Sequence, residues 1–196
     1  MAENSAQQPR ESAAKSIVQP VLVLVVICVV CSALLAYLNG ITKPIIAENT
    51  RIETLKAYLS VLPEGTDEAS LTNLENLTTE GVKGAVRTAD GDVAVQASAS
   101  GYSGKALTVF VAFDAAGNIV NLKVDASLQT TGIGSKTGTD AFAQGFINWN
   151  AGQKIENGSP VDAIAGATIS SKAVFAALNS AIDCYNNELA GGVRNG

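Results

Sequence analysis

The chain has 196 residues, enough for one membrane-crossing helix and one domain of ordinary size. It carries 13 Lys and Arg against 18 Asp and Glu, for a formal charge of −5, and no basic stripe, so nucleic-acid binding has no support. Histidine is absent, which removes the commonest general base and zinc ligand, and three cysteines (Cys28, Cys31, Cys184) make no disulfide framework.

Residues 1–15 are polar and rich in Ala, Ser and Gln, and read as a disordered tail. Residues 17–38 carry no charge. As a helix this run of about 22 residues spans roughly 33 Å, the thickness of a bilayer core. Pro20 lies near its start, where a helix tolerates proline, and Tyr37 near its end, where an interfacial aromatic fits. The run lacks the short apolar core and small-residue cleavage site of a signal peptide, so 16–39 is expected to be a retained anchor in the lipid bilayer. Cys28 and Cys31 inside it read as small apolar residues and not as half of a metal or iron–sulfur site. Arg10 and Lys15 precede the run and Lys43, Arg51 and Lys56 follow it, so flanking charge does not choose an orientation. Over 40–65, Ile45, Ile52, Leu55, Leu59 and Leu62 recur at helical spacing until Pro63-Glu64-Gly65, which predicts a connecting helix.

Residues 66–196 read as one domain. Its first part, 66–92, is polar, with turn signals at Lys83-Gly84 and Asp90-Gly91-Asp92. A short strand is expected over 93–98, then a glycine-bracketed loop, Gly101-Tyr102-Ser103-Gly104-Lys105. Residues 106–113 and 119–124 form a hairpin around the turn at 114–118. A second glycine-rich loop covers 127–136, and 140–149 reads as a short amphipathic helix with Phe142, Phe146 and Trp149. The last helix, 170–189, shows an apolar stripe of Val174, Ala177, Leu178, Ala181 and Ile182. The fold class is α+β: one N-terminal transmembrane helix, then a domain with a small antiparallel sheet and flanking helices.

Two segments invite a phosphate. Gly132-Ile133-Gly134 is followed by Ser135-Lys136-Thr137, which fits neither the dinucleotide fingerprint nor a Walker A loop. The run from Asp162 through Ala165-Gly166-Ala167-Thr168 to Ile169-Ser170-Ser171-Lys172 is more informative. Small residues and hydroxyls gather where a helix begins, and a helix mouth offers unpaired N–H groups to an anion. The plain alternative is an N-cap at Thr168 or Ser170, worth about 1 kcal/mol. No catalytic residue is assigned, because no His, paired-acid or partnered Cys site can be assembled, and no metal site is expected.

The Asp162–Lys172 run resembles the flavinylation motif of the FMN-binding domain family. That family includes the G subunit of the Rnf electron-transport complex and the C subunit of the sodium-translocating NADH:quinone reductase. The likeness extends to the anchor, to Ile41-Thr42-Lys43-Pro44 and to the loop from Gly101 to Lys105. It also takes in Gln129-Thr130-Thr131-Gly132-Ile133-Gly134, which is similar to the family's Glu-Thr-Pro-Gly-Leu-Gly. Three motifs in order behind one anchor, on a short chain, favour the G-subunit branch. The resemblance implies one FMN per chain, joined through its phosphate to Thr168 by a Mg-dependent FAD:protein FMN transferase. Asp162, Gly166, Ala167, Ser170, Ser171 and Lys172 would surround the attachment. The loop from Gln129 to Gly134, with Tyr102 and Leu128, would face the ring. It further implies other Rnf subunits as partners, passage of electrons between ferredoxin and NAD coupled to Na⁺ or H⁺ movement, and a single-pass protein of the cell (inner) membrane with its flavin domain on the extracytoplasmic side.

Two departures stand out: Ala165 where the family usually has Ser or Thr, and Gln129 and Thr131 where it has Glu and Pro. A missing carboxylate beside the ring would make flavin reduction easier. Rival readings are a C-type subunit of the quinone reductase, a stand-alone extracellular flavoprotein, and a non-redox anchored binding or scaffold module.

Overall fold

The computed structural model describes residues 11–190, and the chain divides into two units, Met1–Ile52 and Glu53–Gly196. Helix α1 (Glu11–Val61) runs through the expected anchor and connecting segment without interruption, despite Pro20 and Pro44. The helix takes in the last five residues of the expected tail. Residues 11–15 are already helical, as their Ala, Lys and Glu content favours, and 1–10 lie outside the described residues. In the first unit every side chain from 18 to 52 is exposed, as an apolar helix without protein packing must be. This is the one helix among the described residues that is long and apolar enough to cross a membrane.

The second unit holds a five-stranded sheet in the order β1 (Thr72–Leu74), β2 (Val82–Arg87), β3 (Val93–Ser100), β4 (Ala106–Phe113), β5 (Ile119–Asp125), with every neighbouring pair antiparallel. Two further helices follow, α2 (Asp140–Gln144) and α3 (Thr168–Cys184), the latter continued by a π-helical turn over Tyr185–Leu189.

Period-two alternation divides the central strands between two cores. Val93, Val95 and Ala97 of β3 and Leu107, Val109, Val111 and Phe113 of β4 face α3, whose whole predicted stripe is buried against them. Ala94, Phe110 and Ala112 point the other way, under Ala57, Tyr58 and Val61 from the last turns of α1. Tyr58 meets Phe110 edge to face with ring centroids 5.4 Å apart. Both faces of the sheet are thus covered, which explains why β4 reads as a nearly continuous apolar run.

The expected turn at Lys83-Gly84 is instead a bulge inside β2, where the pairing with β3 shifts register. A Cβ at Gly84 would lie 3.1 Å from the Tyr58 hydroxyl, so the glycine answers to packing and not to a turn. The helix expected over 140–149 is regular only to Gln144. At Gly145 the backbone packs so closely on Val161 that a Cβ would lie 2.4 Å from its methyl. Phe142 and Phe146 are nevertheless buried as expected, while Trp149 is half-buried.

Candidate functional site

Gly166 sets the approach to α3. Its φ of +79° is a conformation that costs an L-residue about 1–2 kcal/mol, and nothing lies near enough to hinder a Cβ. The Ala167 N–H donates to the Ile164 carbonyl at 2.9 Å, and the Ser171 N–H donates to the Ala167 carbonyl at 2.9 Å, the first bond of the helix. The N-cap position therefore belongs to Ala167, which has no side chain to cap with, and Thr168 is the first helical residue. The expected cap at Thr168 or Ser170 is not formed. The Thr168 side chain is exposed and its hydroxyl has no hydrogen-bond partner among the described residues. The amides of Thr168, Ile169 and Ser170 are likewise without acceptors, as the first turn of a helix leaves them.

The neighbouring hydroxyls have other duties than the phosphate expected for them. Ser171 is fully buried and accepts the Ile164 N–H at 3.0 Å, closing the turn that precedes the helix. Ser170 is buried and donates to Gln129 Oε1 at 2.9 Å. Asp162 and Lys172 are exposed and lie outside the cleft lining, although Lys172 stands one turn beyond Thr168 on the same helical face.

Gln129 differs most from expectation: with 4% of its surface exposed it lies behind the wall of the cleft and not among the residues that line it. Its Oε1 also accepts the Tyr102 N–H at 3.2 Å, while Nε2 donates to the carbonyls of Lys105 at 3.2 Å and Ala106 at 3.3 Å. In front of it lies a cleft of about 410 Å³, within the size range of small-molecule sites. Tyr102 forms one wall, Thr130, Ile133 and Gly134 another, and the stretch from Gly166 to Ser170 the third. All three sequence motifs thus meet, although Thr131, Gly132 and Leu128 do not line the cleft. Gly132 (φ +75°) turns the loop, and its N–H donates to the Ser135 hydroxyl at 2.9 Å. Tyr102, Ile133 and Ile169 are each half exposed or more at the mouth, as is Leu128 in the adjoining loop, which gives the cleft an apolar lip.

The family model described as FMN-binding domain matches residues 101–183, the stretch that contains every segment lining the cleft. A second, described as RnfG N-terminal region, matches residues 3–61. The chain belongs to the RnfG-like proteins. No match was found among curated proteins. As an RnfG-like chain it is an FMN-binding Rnf subunit, a flavoprotein of electron transport, with other Rnf subunits as its partners. The residues fit FMN: an apolar lip suits a flavin ring, and free amides with a free hydroxyl at the mouth of a 17-residue helix suit its phosphate.

Gly101, Gly134 and Ser171 carry structural duties at this site that the sequence does not disclose. A Cβ at Gly101 would lie 2.5 Å from Gln129 Oε1, and one at Gly134 would lie 2.7 Å from the Ser170 hydroxyl. Only the glycine content of the two loops hinted at such close approaches.

Proposed function

We propose that this chain is a one-FMN electron carrier of the cell membrane, with the flavin joined through its phosphate to Thr168, and that it serves an Rnf complex coupling ferredoxin–NAD electron transfer to Na⁺ or H⁺ movement. The observation that carries the reading is the position of Thr168. It is the one exposed, unpartnered side-chain hydroxyl on the α3 wall of the cleft, at a helix mouth whose free amides would bind the attached phosphate. A Mg-dependent FAD:protein FMN transferase would use FAD as the donor. The Thr168 oxygen would bond to the phosphorus of the FMN half, the bond to AMP would break, and the hydroxyl proton would leave with a base of that enzyme.

Bound flavin supplies the uptake and release of electrons. The chain's own contribution is placement. Thr168 would fix the phosphate end, Tyr102, Ile133 and Ile169 would shield the ring with apolar surface, and Thr130 adds a hydroxyl-bearing residue to the lining. A covalent bond also prevents loss of the group on the extracytoplasmic side, where we place the domain. The apolar run of α1 would hold it to the bilayer.

Intact-mass analysis of the chain co-produced with a flavin transferase tests the attachment. One FMN, added with loss of water, is expected on the wild type and none on Thr168→Val. Unmodified wild-type mass, or a Thr168→Val protein that stays yellow after denaturation, would overturn it.

A further inference from the structure

The Gln129 carboxamide is used in two opposite senses. Its oxygen faces only donors, the Tyr102 N–H and the Ser170 hydroxyl, and its nitrogen faces only acceptors, the carbonyls of Lys105 and Ala106. The partners therefore dictate which end is which. Two of them, Tyr102 and Ser170, belong to separate walls of the cleft. Both ends of the amide grip the Tyr102 turn, and Ser170 ties in α3 two residues after Thr168. A second observation agrees. Two segments far apart in sequence carry glycine where they close on Gln129: a Cβ at Gly101 would lie 2.5 Å from Oε1, and one at Gly134 would lie 2.9 Å from the Gln129 Cβ.

We propose that Gln129 is the positioning residue of this site: touching no part of the flavin, its uncharged amide sets the spacing between the Tyr102 turn and the Thr168 helix. The inference rests on the flavin reading above. An ionised carboxylate at this position could accept from Tyr102 and Ser170 but could not donate to Lys105 and Ala106, and would set a negative charge against two carbonyl oxygens. Glutamine in place of the family's glutamate therefore allows both carbonyls to close on the side chain. Of the residues contacting the amide, only Tyr102 and Lys105 are titratable. Both are exposed and reach it through backbone atoms.

A Gln129→Glu carboxyl would be buried against acceptors, which favours its protonated form. The proton bound in the folded state keeps the site closed at low pH, and closure is lost as pH rises through that elevated pKa. The experiment uses the full chain, flavinylated by its transferase, and reads visible circular dichroism and fluorescence anisotropy of the attached flavin from about pH 5 to about pH 8. Wild type is expected to hold one signal throughout. Gln129→Glu should come nearest to it at the acid end, where the single O–H of the protonated carboxyl can serve one of the two carbonyls, and lose about half or more of that signal at the upper end as the carboxyl ionises. Gln129→Met, which cannot donate, should show the weakened signal at every pH. A pH-independent wild-type signal from Gln129→Glu, or a wild-type signal from Gln129→Met, would overturn the proposal. If Gln129→Met does not fold, Ser170→Ala is read in its place: a reduced dichroism supports the role and an unchanged one refutes it. Wild-type protein lacking flavin mass at Thr168 would instead sink the underlying flavin reading, so the two failures are distinct.

Discussion

Ser171, fully buried in α3, accepts the backbone N–H of Ile164 at 3.0 Å and so fastens the turn that delivers Thr168 to the cleft. The helix thereby holds its own entrance in shape. Ser171→Ala removes the acceptor and leaves that amide short of a partner, a loss of about 1–3 kcal/mol. Urea unfolding should show it as a lower midpoint with an unchanged slope, and the proposed attachment of flavin to Thr168 should slow with it. A midpoint within error of wild type would mean that water or another acceptor replaces the bond.

Thr168 itself should matter little to stability. Its hydroxyl holds no hydrogen bond and Ala167 occupies the cap position, so Thr168→Val is expected within about 0.5 kcal/mol of wild type when both lack flavin. A loss near 1 kcal/mol or more would restore the capping role that the geometry denies. Gly166→Ala makes the complementary case. With φ at +79° and open space around the missing Cβ, it should cost about 1–2 kcal/mol through backbone strain alone.

Glu188 should give the domain an acid-sensitive corner. Its carboxylate accepts from the hydroxyl and amide of Thr79 and from the amide and hydroxyl of Thr78, pinning the segment between β1 and β2 to the end of the π-helical turn. The Thr79 hydroxyl, first among these, holds the carboxyl below the usual carboxylate range. The folded state therefore binds its proton less readily than the unfolded chain. The contribution is present above the unfolded pKa of about 4.3 and is lost as pH falls through the lower folded value. Hydrogen exchange at the Thr78 and Thr79 amides, corrected for intrinsic rates, should accelerate on acidification through that window. Glu188→Gln should remove the step.

Cys184 is fully buried, and burial, with the negative charge of Glu188 second, pushes its thiol up to about 11. Native protein should therefore resist alkylation at this residue near neutral pH, and unfolded protein should react. A carbamidomethylated Cys184 peptide recovered from native protein within minutes would show that the C-terminal turn opens readily.

What could be read from the sequence was local. The Tyr102 turn, the 127–136 loop and the run up to Thr168 each announce themselves through glycines and hydroxyls a few residues apart, and the β4–β5 hairpin through its apolar alternation. β1 and β2 did not, because they are short, half-exposed and polar, and the glycine of β2 imitates a turn while accommodating Tyr58. The side chains that organise the site are the least legible in the sequence. Ser170 and Ser171 looked like phosphate ligands because hydroxyls at a helix start usually face outward. Gln129 is expected at the ring only through the resemblance of its loop to the family's. Ser170 and Gln129 find partners 41 and 27 residues away, a separation that no pattern along the chain encodes.

Among the described residues from Glu53 onward, five large apolar side chains are well exposed, and four of them (Tyr102, Leu128, Ile133, Ile169) belong to the rim of the cleft or its loop. Until a ring covers that rim, newly made protein presents water with a greasy mouth, the kind of surface that draws chains into clumps. Maturation would then protect the subunit as well as equip it: light scattering of the unloaded protein should exceed that of the loaded form at equal concentration.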